Sequence, residues 1–94
     1  MLELRTGTDG TVYLSGRLDA AQSEKAERVL RTLSASTVVD CSELEYISSA
    51  GIGLLVATYK RLQDSGHSFQ IINADSRIRN VLRYAGLDKL LLAD

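Results

Sequence analysis

The sequence predicts a single α/β domain, residues 1–94, with a mixed four-stranded sheet and about three to four helices. Two short alternating segments near the N-terminus indicate a β-hairpin, and the rest of the chain alternates helix-periodic segments with apolar strands. A strand–helix–strand order pairs its strands in parallel through right-handed crossovers, so the hairpin adds an antiparallel edge. A length of 94 residues, 45% hydrophobic and 24% charged, is typical of one globular domain.

The predicted hairpin joins residues 2–5 to residues 11–15, with Asp9-Gly10 as the turn and Gly16 as the end of the second strand. Asp19 and Gln22 have capping-box spacing and predict a first helix over residues 20–33. Its apolar face comprises Ala26, Val29, Leu30 and Leu33. The β-branched residues 37–39 then predict a buried central strand that ends at Asp40.

The second half of the chain predicts a loop over residues 41–47, two helices and one further strand. The second helix begins at Ser48 or Ser49 and stops near Gly66. Its predicted core face comprises Ile52, Leu55, Val56, Tyr59 and Leu62. Residues 69–72 form the last strand. A third helix follows, capped by Asp75 or Ser76 and terminated by a Schellman motif at Gly86-Leu87. Its inward residues are Ile78, Val81, Leu82 and Ala85, and the apolar tail that is expected to be covered contains Leu87, Leu90, Leu91 and Leu92.

Charge and composition exclude several classes of function. Eleven Lys and Arg against twelve Asp and Glu give a net charge of −1, which argues against a nucleic-acid binder. A single cysteine, Cys41, and a single histidine, His67, argue against a disulfide framework and a metal site. Neither a membrane-spanning run nor a signal peptide is visible. We therefore expect no metal, no cofactor, no membrane insertion and a cytoplasmic location.

Small residues cluster in residues 40–53, where a central strand leads into the second helix. This is the end of an open α/β sheet at which binding sites usually lie. Ser48, Ser49, Ala50, Gly51 and Gly53 would let another backbone or a phosphate approach the helix N-terminus. One interpretation is that Ser48 or Ser49 simply caps the helix. The other is an exposed serine that accepts a phosphoryl group, and both hold if one serine caps and the other is modified.

An enzymatic interpretation is weaker. Ser49, His67 and Asp40 are the residue types of a hydrolase triad, but the nucleophile elbow requires glycine two positions before and after the serine. Ile47 occupies the first of those positions. No Walker lysine follows the glycines, so a P-loop is absent. No catalytic residue is predicted.

Two further groups of charges have both structural and functional interpretations. Asp19 and Asp40 could form a paired carboxylate site, although each also suits a cap or a turn. The arginines at 77, 79 and 83 give the third helix a basic side, which is either simply solvated or receives an acidic partner. Cys41 follows a buried strand and is interpreted as a small core residue.

Several of these segments resemble the STAS domains of sulfate transporters and anti-sigma factor antagonists. Residues 16–19, Gly-Arg-Leu-Asp, are similar to the Gly-x-Leu-Asp segment of that family. Residues 38–42 and 46–52 resemble its Asp-x-Ser and Ser-Ser-Ala-Gly signature. Asn73 and residues 78–90 resemble its last helix. The similarity covers nearly the whole chain in order and implies one STAS-like fold.

The resemblance implies a non-enzymatic switch. In bacterial antagonists of this type, the serine before the Ala-Gly pair is phosphorylated, which corresponds to Ser49. The unmodified protein binds an anti-sigma factor with a histidine-kinase-like ATPase fold that is also a serine kinase. Binding releases the sigma factor, phosphorylation ends it, and a PP2C-type phosphatase resets the switch. The implied partner surface comprises Asp19, Asp40, Ser48, Gly51, Ile52 and Gly53.

One departure from the family pattern leaves an alternative open. Antagonists of this type often carry Asp before the phosphorylated serine, whereas this chain has Ser48, a second hydroxyl that could be modified instead. Another STAS protein is the small cytoplasmic subunit of a bacterial lipid-transport ABC system. That subunit stabilises its ATPase without phosphorylation, and the sequence does not separate the two functions.

Overall fold

The computed structural model describes residues 1–93. These residues form four strands, a 3₁₀ turn and four α-helices. In chain order they are β1 (Leu2–Thr6), β2 (Val12–Leu18), the 3₁₀ turn (Ala20–Gln22), α1 (Ser23–Leu30), β3 (Thr37–Ile47), α2 (Ser49–Asp64), β4 (Phe69–Ile72), α3 (Ser76–Tyr84) and α4 (Asp88–Leu91). Asp94, the last residue of the predicted domain, lies outside the described residues.

The sheet has the order β1-β2-β3-β4. β1 pairs antiparallel with β2, while β2, β3 and β4 pair in parallel. The prediction of a mixed four-stranded sheet with an N-terminal hairpin is confirmed. Parallel pairing follows from the two helical crossovers, through α1 and through α2, which return the chain to the same end of the sheet.

The prediction of a loop over residues 41–47 is wrong, because these residues continue β3 to Ile47. The register against β2 shifts between Tyr13 and Ser15 and again between Gly16 and Arg17, so β3 carries extra residues at two irregular positions. Cys41, Leu44 and Ile47 are buried while the residues between them are exposed. A strand is recognised in a sequence by apolar residues at every second position, and the two bulges interrupt that alternation.

The second strand is also longer than predicted, since β2 passes through Gly16 and ends at Leu18. Gly16 has a φ of +91°, and a Cβ atom at this position would collide with the carbonyl oxygen of Met1. The neighbouring Arg17 N–H donates to that same carbonyl at 3.0 Å. Gly16 therefore does not end the strand. It allows the backbone of Met1 to approach β2 closely within the hairpin.

The first helix is shorter than predicted. Asp19 caps the 3₁₀ turn, α1 starts at Ser23, and the helix ends at Leu30 rather than at residue 33. Arg61 of α2 binds this end, because its guanidinium donates to the carbonyl oxygens of Leu30 and Leu33, both at 2.8 Å. The contact satisfies carbonyl groups that a helix C-terminus leaves without partners.

Helix α2 starts and ends near its predicted limits, but its buried face is rotated. The fully buried residues are Gly51, Leu55, Thr58 and Leu62, while the predicted Ile52, Val56 and Tyr59 are half-buried. Small residues occupy part of the buried face because helix and sheet pack closely there. The predicted stop at Gly66 is confirmed, since Gly66 has a φ of +81° and the His67 N–H returns to the Leu62 carbonyl at 2.8 Å.

The C-terminal helices follow the predicted capping chemistry. Asp75 caps α3 by accepting from the backbone N–H groups of Arg77 and Ile78. At the other end Gly86 has a φ of +74°, and the Leu87 N–H donates to the Leu82 carbonyl at 2.8 Å, as in a Schellman motif. Ala85, predicted to face inward, is exposed and caps the C-terminus of the helix, which ends at Tyr84. In the apolar tail Leu91 is fully buried, Leu87 and Leu92 are partly buried, and Leu90 is 39% exposed.

Candidate functional site

Strand β3 leads directly into helix α2, with Ser48 as the one residue between them. Ile47 pairs with Leu18 at the end of β2, and the Ser48 N–H donates to the Leu18 carbonyl at 2.9 Å. The first turn of α2 is therefore tied to the carboxyl ends of two adjacent parallel strands. This is the edge of the sheet at which the sequence predicts a site.

Ser48 is the N-cap of α2. Its backbone is extended, with φ −87° and ψ 170°, and its hydroxyl oxygen accepts a hydrogen bond from the Gly51 N–H at 3.1 Å. A cap of this kind contributes about 1 kcal/mol to helix stability. The structural interpretation of the serine pair therefore applies to Ser48, whose side chain is half-buried and engaged in the helix start.

Ser49 is the first residue of α2 and is exposed. Within residues 1–93 its side chain makes no hydrogen bond, whereas the hydroxyl of Ser48 accepts one. The hydroxyl of Ser49 lies beside the backbone N–H groups that a helix N-terminus leaves unpaired. The structure thus separates the two serines, one a cap and the other an accessible hydroxyl.

The two glycines of the motif have different environments. Gly51 is buried, and a Cβ atom added there would lie 2.7 Å from Leu18 Cγ and 3.0 Å from the Leu18 carbonyl oxygen. Gly53 is exposed, and a Cβ atom there would meet nothing within 4 Å. The close approach at Gly51 is therefore internal, between α2 and β2. Gly53 leaves the outer surface of the helix bare, one turn beyond Ser49.

Asp19 lies beside this helix start, because it directly follows Leu18. Its carboxylate accepts from the Gln22 N–H at 3.1 Å and so caps the 3₁₀ turn, which packs against α2. Ile52 is half-buried in the first turn of α2, with Ser49 and Gly53 at its side. The structure brings together Asp19, Ser48, Ser49, Gly51, Ile52 and Gly53.

Asp40 is not part of this cluster. It pairs with Tyr13, five residues of β2 before Leu18, which at about 3.3 Å per residue places it about 16 Å from the helix start. Asp40 therefore neither flanks Ser49 nor pairs with Asp19, in contrast to the partner surface and the carboxylate pair that the sequence suggests. The two bulges lengthen β3 beyond the predicted strand end, so Asp40 lies in the middle of the strand.

Asp40 instead holds the turn that follows β4. The residue is 9% exposed, and its carboxylate accepts from the Ser42 N–H at 2.8 Å and from the Asn73 side-chain amide at 2.9 Å. Burial raises the pKa of this carboxyl, but the hydrogen bonds from Ser42 and Asn73 outweigh burial and the net pKa is lowered. Asn73 has a φ of +59°, so the contact fixes a backbone conformation that few residues adopt.

An exposed pair, Arg17 and Tyr46, lies near the same end of the sheet and was missed in the sequence. The two residues are cross-strand partners on β2 and β3, and the Arg17 guanidinium carbon lies 4.3 Å from the centre of the Tyr46 ring. Tyr46 is 40% exposed. The pair would have been found only by recognising residues 41–47 as a strand, which the bulges concealed.

The residue types of a hydrolase triad are scattered. Ser49 is the first residue of α2, and His67 follows the other end of that helix. A helix of 16 residues is about 24 Å long, so the two side chains lie far apart. Asp40 is also distant from Ser49. Cys41 is fully buried, and burial next to the Asp40 carboxylate raises the pKa of its thiol to about 12. The structure therefore assembles no nucleophile–base pair from these residues.

Two further features are absent from residues 1–93. No cluster of three or more His, Cys, Asp or Glu side chains has the arrangement of a metal site. No helix in this part of the chain is long and apolar enough to span a membrane.

Comparison with known families and structures identifies the fold. The family model described as "Mlab, STAS domain" matches residues 1–93. The chain belongs to this STAS family. The resemblance seen in the sequence is thereby confirmed, and a single STAS-like fold accounts for the mixed sheet and for helix α2 at its edge.

Solved structures of STAS proteins share this fold at low sequence identity. The anti-sigma factor antagonist SpoIIAA in its unphosphorylated form matches with a TM-score of 0.79 at 20% identity, over 98% of this chain and 86% of that one. An anti-sigma factor antagonist from Mycobacterium paratuberculosis gives 0.81 at 24% identity, over 100% and 86%. The phosphorylated form of the Bacillus SpoIIAA gives 0.72 at 20% identity, over 98% and 89%. This STAS domain is therefore structurally like anti-sigma factor antagonists.

Proposed function

We propose that this STAS protein is an anti-sigma factor antagonist of the cytoplasm. Its unphosphorylated form binds an anti-sigma factor with a histidine-kinase-like ATPase fold, and phosphorylation of Ser49 ends that binding. A PP2C-type phosphatase restores the active form. The observation that carries the proposal is the division of the two serines, since Ser48 caps α2 while the Ser49 hydroxyl is exposed and makes no hydrogen bond within residues 1–93.

The helix start can carry a phosphate without unfolding. A phosphoserine adds about −1.5 to −2 charges at neutral pH. Ser49 occupies the first position of a 16-residue helix, where the macrodipole favours negative charge. The Ser48 cap does not involve the Ser49 side chain, so the modification leaves it in place. The effect of phosphorylation therefore falls on the partner contact.

The proposed contact surface surrounds that serine. Gly53 lies one turn further along α2 and offers a surface without a side chain, so a partner backbone can approach closely. Ile52 adds apolar area, and Asp19 adds a carboxylate at the rim. A phosphate at Ser49 would hold such a partner away by its bulk and its hydration, and it would add a second negative group beside Asp19.

In this proposal the protein acts by binding and carries no catalytic residue. The separation of Ser49 from both His67 and Asp40 supports that assignment, since acyl transfer needs a base within hydrogen-bond reach of the nucleophile. The phosphoryl transfer is performed by the partner kinase. The Ser49 Oγ attacks the γ-phosphorus of the kinase-bound nucleoside triphosphate, and the nucleoside diphosphate leaves.

The proposal is tested with the wild type and the variants Ser49→Ala, Ser49→Glu and Ser48→Ala. Each is incubated with a candidate anti-sigma factor kinase and ATP, and phosphopeptides are mapped by mass spectrometry. We expect modification of the wild type and of Ser48→Ala at residue 49, and none of Ser49→Ala. In pull-downs Ser49→Ala should bind the kinase like the wild type, whereas Ser49→Glu should bind it at least about tenfold less.

Modification confined to another residue, or equal kinase binding by Ser49→Ala and Ser49→Glu, would contradict the phospho-switch. For this comparison both Ser49 variants must have the circular dichroism spectrum of the wild type. We expect this result because Ser49 is exposed.

A second candidate function is that of a small STAS subunit that stabilises the ATPase of a bacterial lipid-transport ABC system. Two observations favour it. The matching family model is named Mlab rather than after the antagonists, and Ser48 stands where antagonists often carry Asp. In that case the same α2 surface would bind a transport ATPase, and Ser49→Ala and Ser49→Glu baits would both recover it from the source cell's lysate.

A further inference from the structure

An exposed cation–π pair, Arg17 and Tyr46, lies near the end of the sheet that carries Ser49. The guanidinium carbon of Arg17 lies 4.3 Å from the centre of the Tyr46 ring. Within residues 1–93 this guanidinium takes part in no salt bridge and no hydrogen bond. Stacking on a ring engages only the flat face of a guanidinium. The in-plane N–H groups of Arg17 therefore remain available to a ligand.

A second pair on the same hairpin has the same geometry. Arg5 of β1 stacks on Tyr13 of β2, its cross-strand partner, with the guanidinium carbon 4.3 Å from the ring centre. Tyr13 pairs with Asp40, however, at a level of the sheet that lies about 16 Å from the start of α2. Stacking is therefore common to both pairs, and their positions distinguish them. The pair of Arg5 and Tyr13 is a control that the fold itself provides.

The strand register places Arg17 and Tyr46 next to the first turn of α2. They are cross-strand partners, and the following pair, Leu18 and Ile47, adjoins the helix start. Ser49 follows Tyr46 by three positions, so their Cα atoms lie at most about 10 Å apart. A protein interface of standard size covers about 800 Å² of each partner, which is about 28 Å across. An interface centred on Ser49 therefore includes this pair.

The chemistry of Arg17 indicates which group of a partner it binds. A guanidinium presents parallel N–H groups whose spacing matches the two oxygens of a carboxylate. The acidic residues nearest to the pair in the chain, Asp19 and Glu45, form no salt bridge with Arg17. The Tyr46 ring orients the guanidinium before a partner arrives, so less conformational freedom is lost on binding. An aspartate or glutamate of the partner fits this position.

We propose that Arg17, stacked on Tyr46, binds a carboxylate of the anti-sigma factor and is a principal contact of that interface. The inference rests on the proposed function, because it specifies the chemistry of the partner that covers the surface around Ser49. Arg and Tyr are among the residue types that contribute most of the binding free energy at protein interfaces. The contact surface then extends from the start of α2 to the carboxyl ends of β2 and β3.

The test measures the dissociation constant between the unphosphorylated full chain and the anti-sigma factor kinase by isothermal titration calorimetry. We expect Arg17→Ala to weaken binding at least about tenfold, whereas Tyr46→Phe keeps the ring and should change it less than about twofold. Arg17→Lys keeps the charge without the planar fork and should also bind more weakly than the wild type. Arg5→Ala, in the matched pair, should bind within about twofold of the wild type.

An exchange of charge identifies the carboxylate. The aspartates and glutamates of the kinase are changed to lysine one at a time, and each variant is titrated with the wild type and with Arg17→Glu. At one position we expect lysine to restore the binding of Arg17→Glu by at least about tenfold and to weaken the binding of the wild type. All variants of this chain should keep the circular dichroism spectrum of the wild type, because Arg17 and Tyr46 are exposed.

Three results overturn the inference, and they differ in what they say about the proposed function. If Arg17→Ala binds like the wild type while Ser49→Glu loses binding, the inference is wrong and the phospho-switch stands. If Arg17→Ala loses binding but no exchange of charge restores it, the partner group is not a carboxylate. If the wild type binds no anti-sigma factor kinase, the proposed function fails and the inference fails with it.

Discussion

The side chain of Leu18 occupies the space in which a Cβ atom on Gly51 would lie. An added Cβ atom would stand 2.7 Å from Leu18 Cγ, and the Leu18 carbonyl accepts the Ser48 N–H at 2.9 Å. One residue at the end of β2 thus contacts both the N-cap residue of α2 and the buried glycine in its first turn. Ser49 lies between these two contacts in the chain.

We expect Gly51→Ala to lower the free energy of unfolding by about 1–3 kcal/mol, because the added methyl group overpacks a buried contact with Leu18. Gly53→Ala is the matched control on the same helix. It should raise the free energy of unfolding by about 0.5–1 kcal/mol, since alanine is the better helix former and its Cβ meets nothing within 4 Å. Urea unfolding followed by circular dichroism measures both, and equal effects at the two positions would contradict the packing described.

The adjacent serines should differ in the same assay. Ser48→Ala removes the N-cap hydrogen bond to Gly51 and should cost about 1 kcal/mol. Ser48→Asp restores an acceptor at this position and should recover most of that loss. Ser49→Ala removes an exposed hydroxyl and should change the free energy of unfolding by less than about 0.5 kcal/mol. A larger loss at Ser49 than at Ser48 would show that the assignment of the cap is wrong.

Protonation of Asp40 should lower the free energy of unfolding at acidic pH. Its pKa is lower in the folded chain than in the unfolded chain, where a value of about 3.9 is expected. The unfolded state therefore binds this proton more tightly. The stabilisation is complete above about pH 3.9 and is lost as the pH falls through the lowered folded pKa. We expect the stability difference between the wild type and Asp40→Asn to shrink over that interval, as measured by urea unfolding from pH 7 to pH 2.5.

A second variant separates the carboxylate from the backbone that it holds. Asn73→Gly keeps the left-handed conformation at φ +59° accessible but removes the amide that donates to Asp40. It should reduce part of the same pH dependence. An unchanged pH profile in both variants would show that Asp40 does not titrate differently in the two states.

The thiol of Cys41 should be unreactive in the native state. The residue is fully buried, and its pKa of about 12 leaves little thiolate at pH 8. We expect labelling by Ellman's reagent only in denaturant, at a rate that follows global unfolding. Val56→Cys, with a half-buried thiol, is a control that should react faster under native conditions. Rapid native labelling of Cys41 itself would contradict its placement in the core.

The sequence determined the elements whose signals are local. Asp75, Gly66 and Gly86 mark helix ends through chemistry that acts within a few residues. The two glycines were predicted as helix ends, and Asp75 was one of the two predicted caps. The hairpin followed from the alternation of apolar residues around the Asp9-Gly10 turn. The motif around Ser48 and Ser49 also identified the family and the end of the sheet at which the candidate site lies.

Only the tertiary structure decided what those motif residues do. Gly51 and Gly53 are alike in the sequence, and only the position of Leu18 makes one internal and the other open. Asp40 and the Arg17–Tyr46 pair were misplaced or missed because two bulges in β3 change its register against β2. A bulge is defined by hydrogen bonds to a neighbouring strand, and a single strand's residue order does not contain that information.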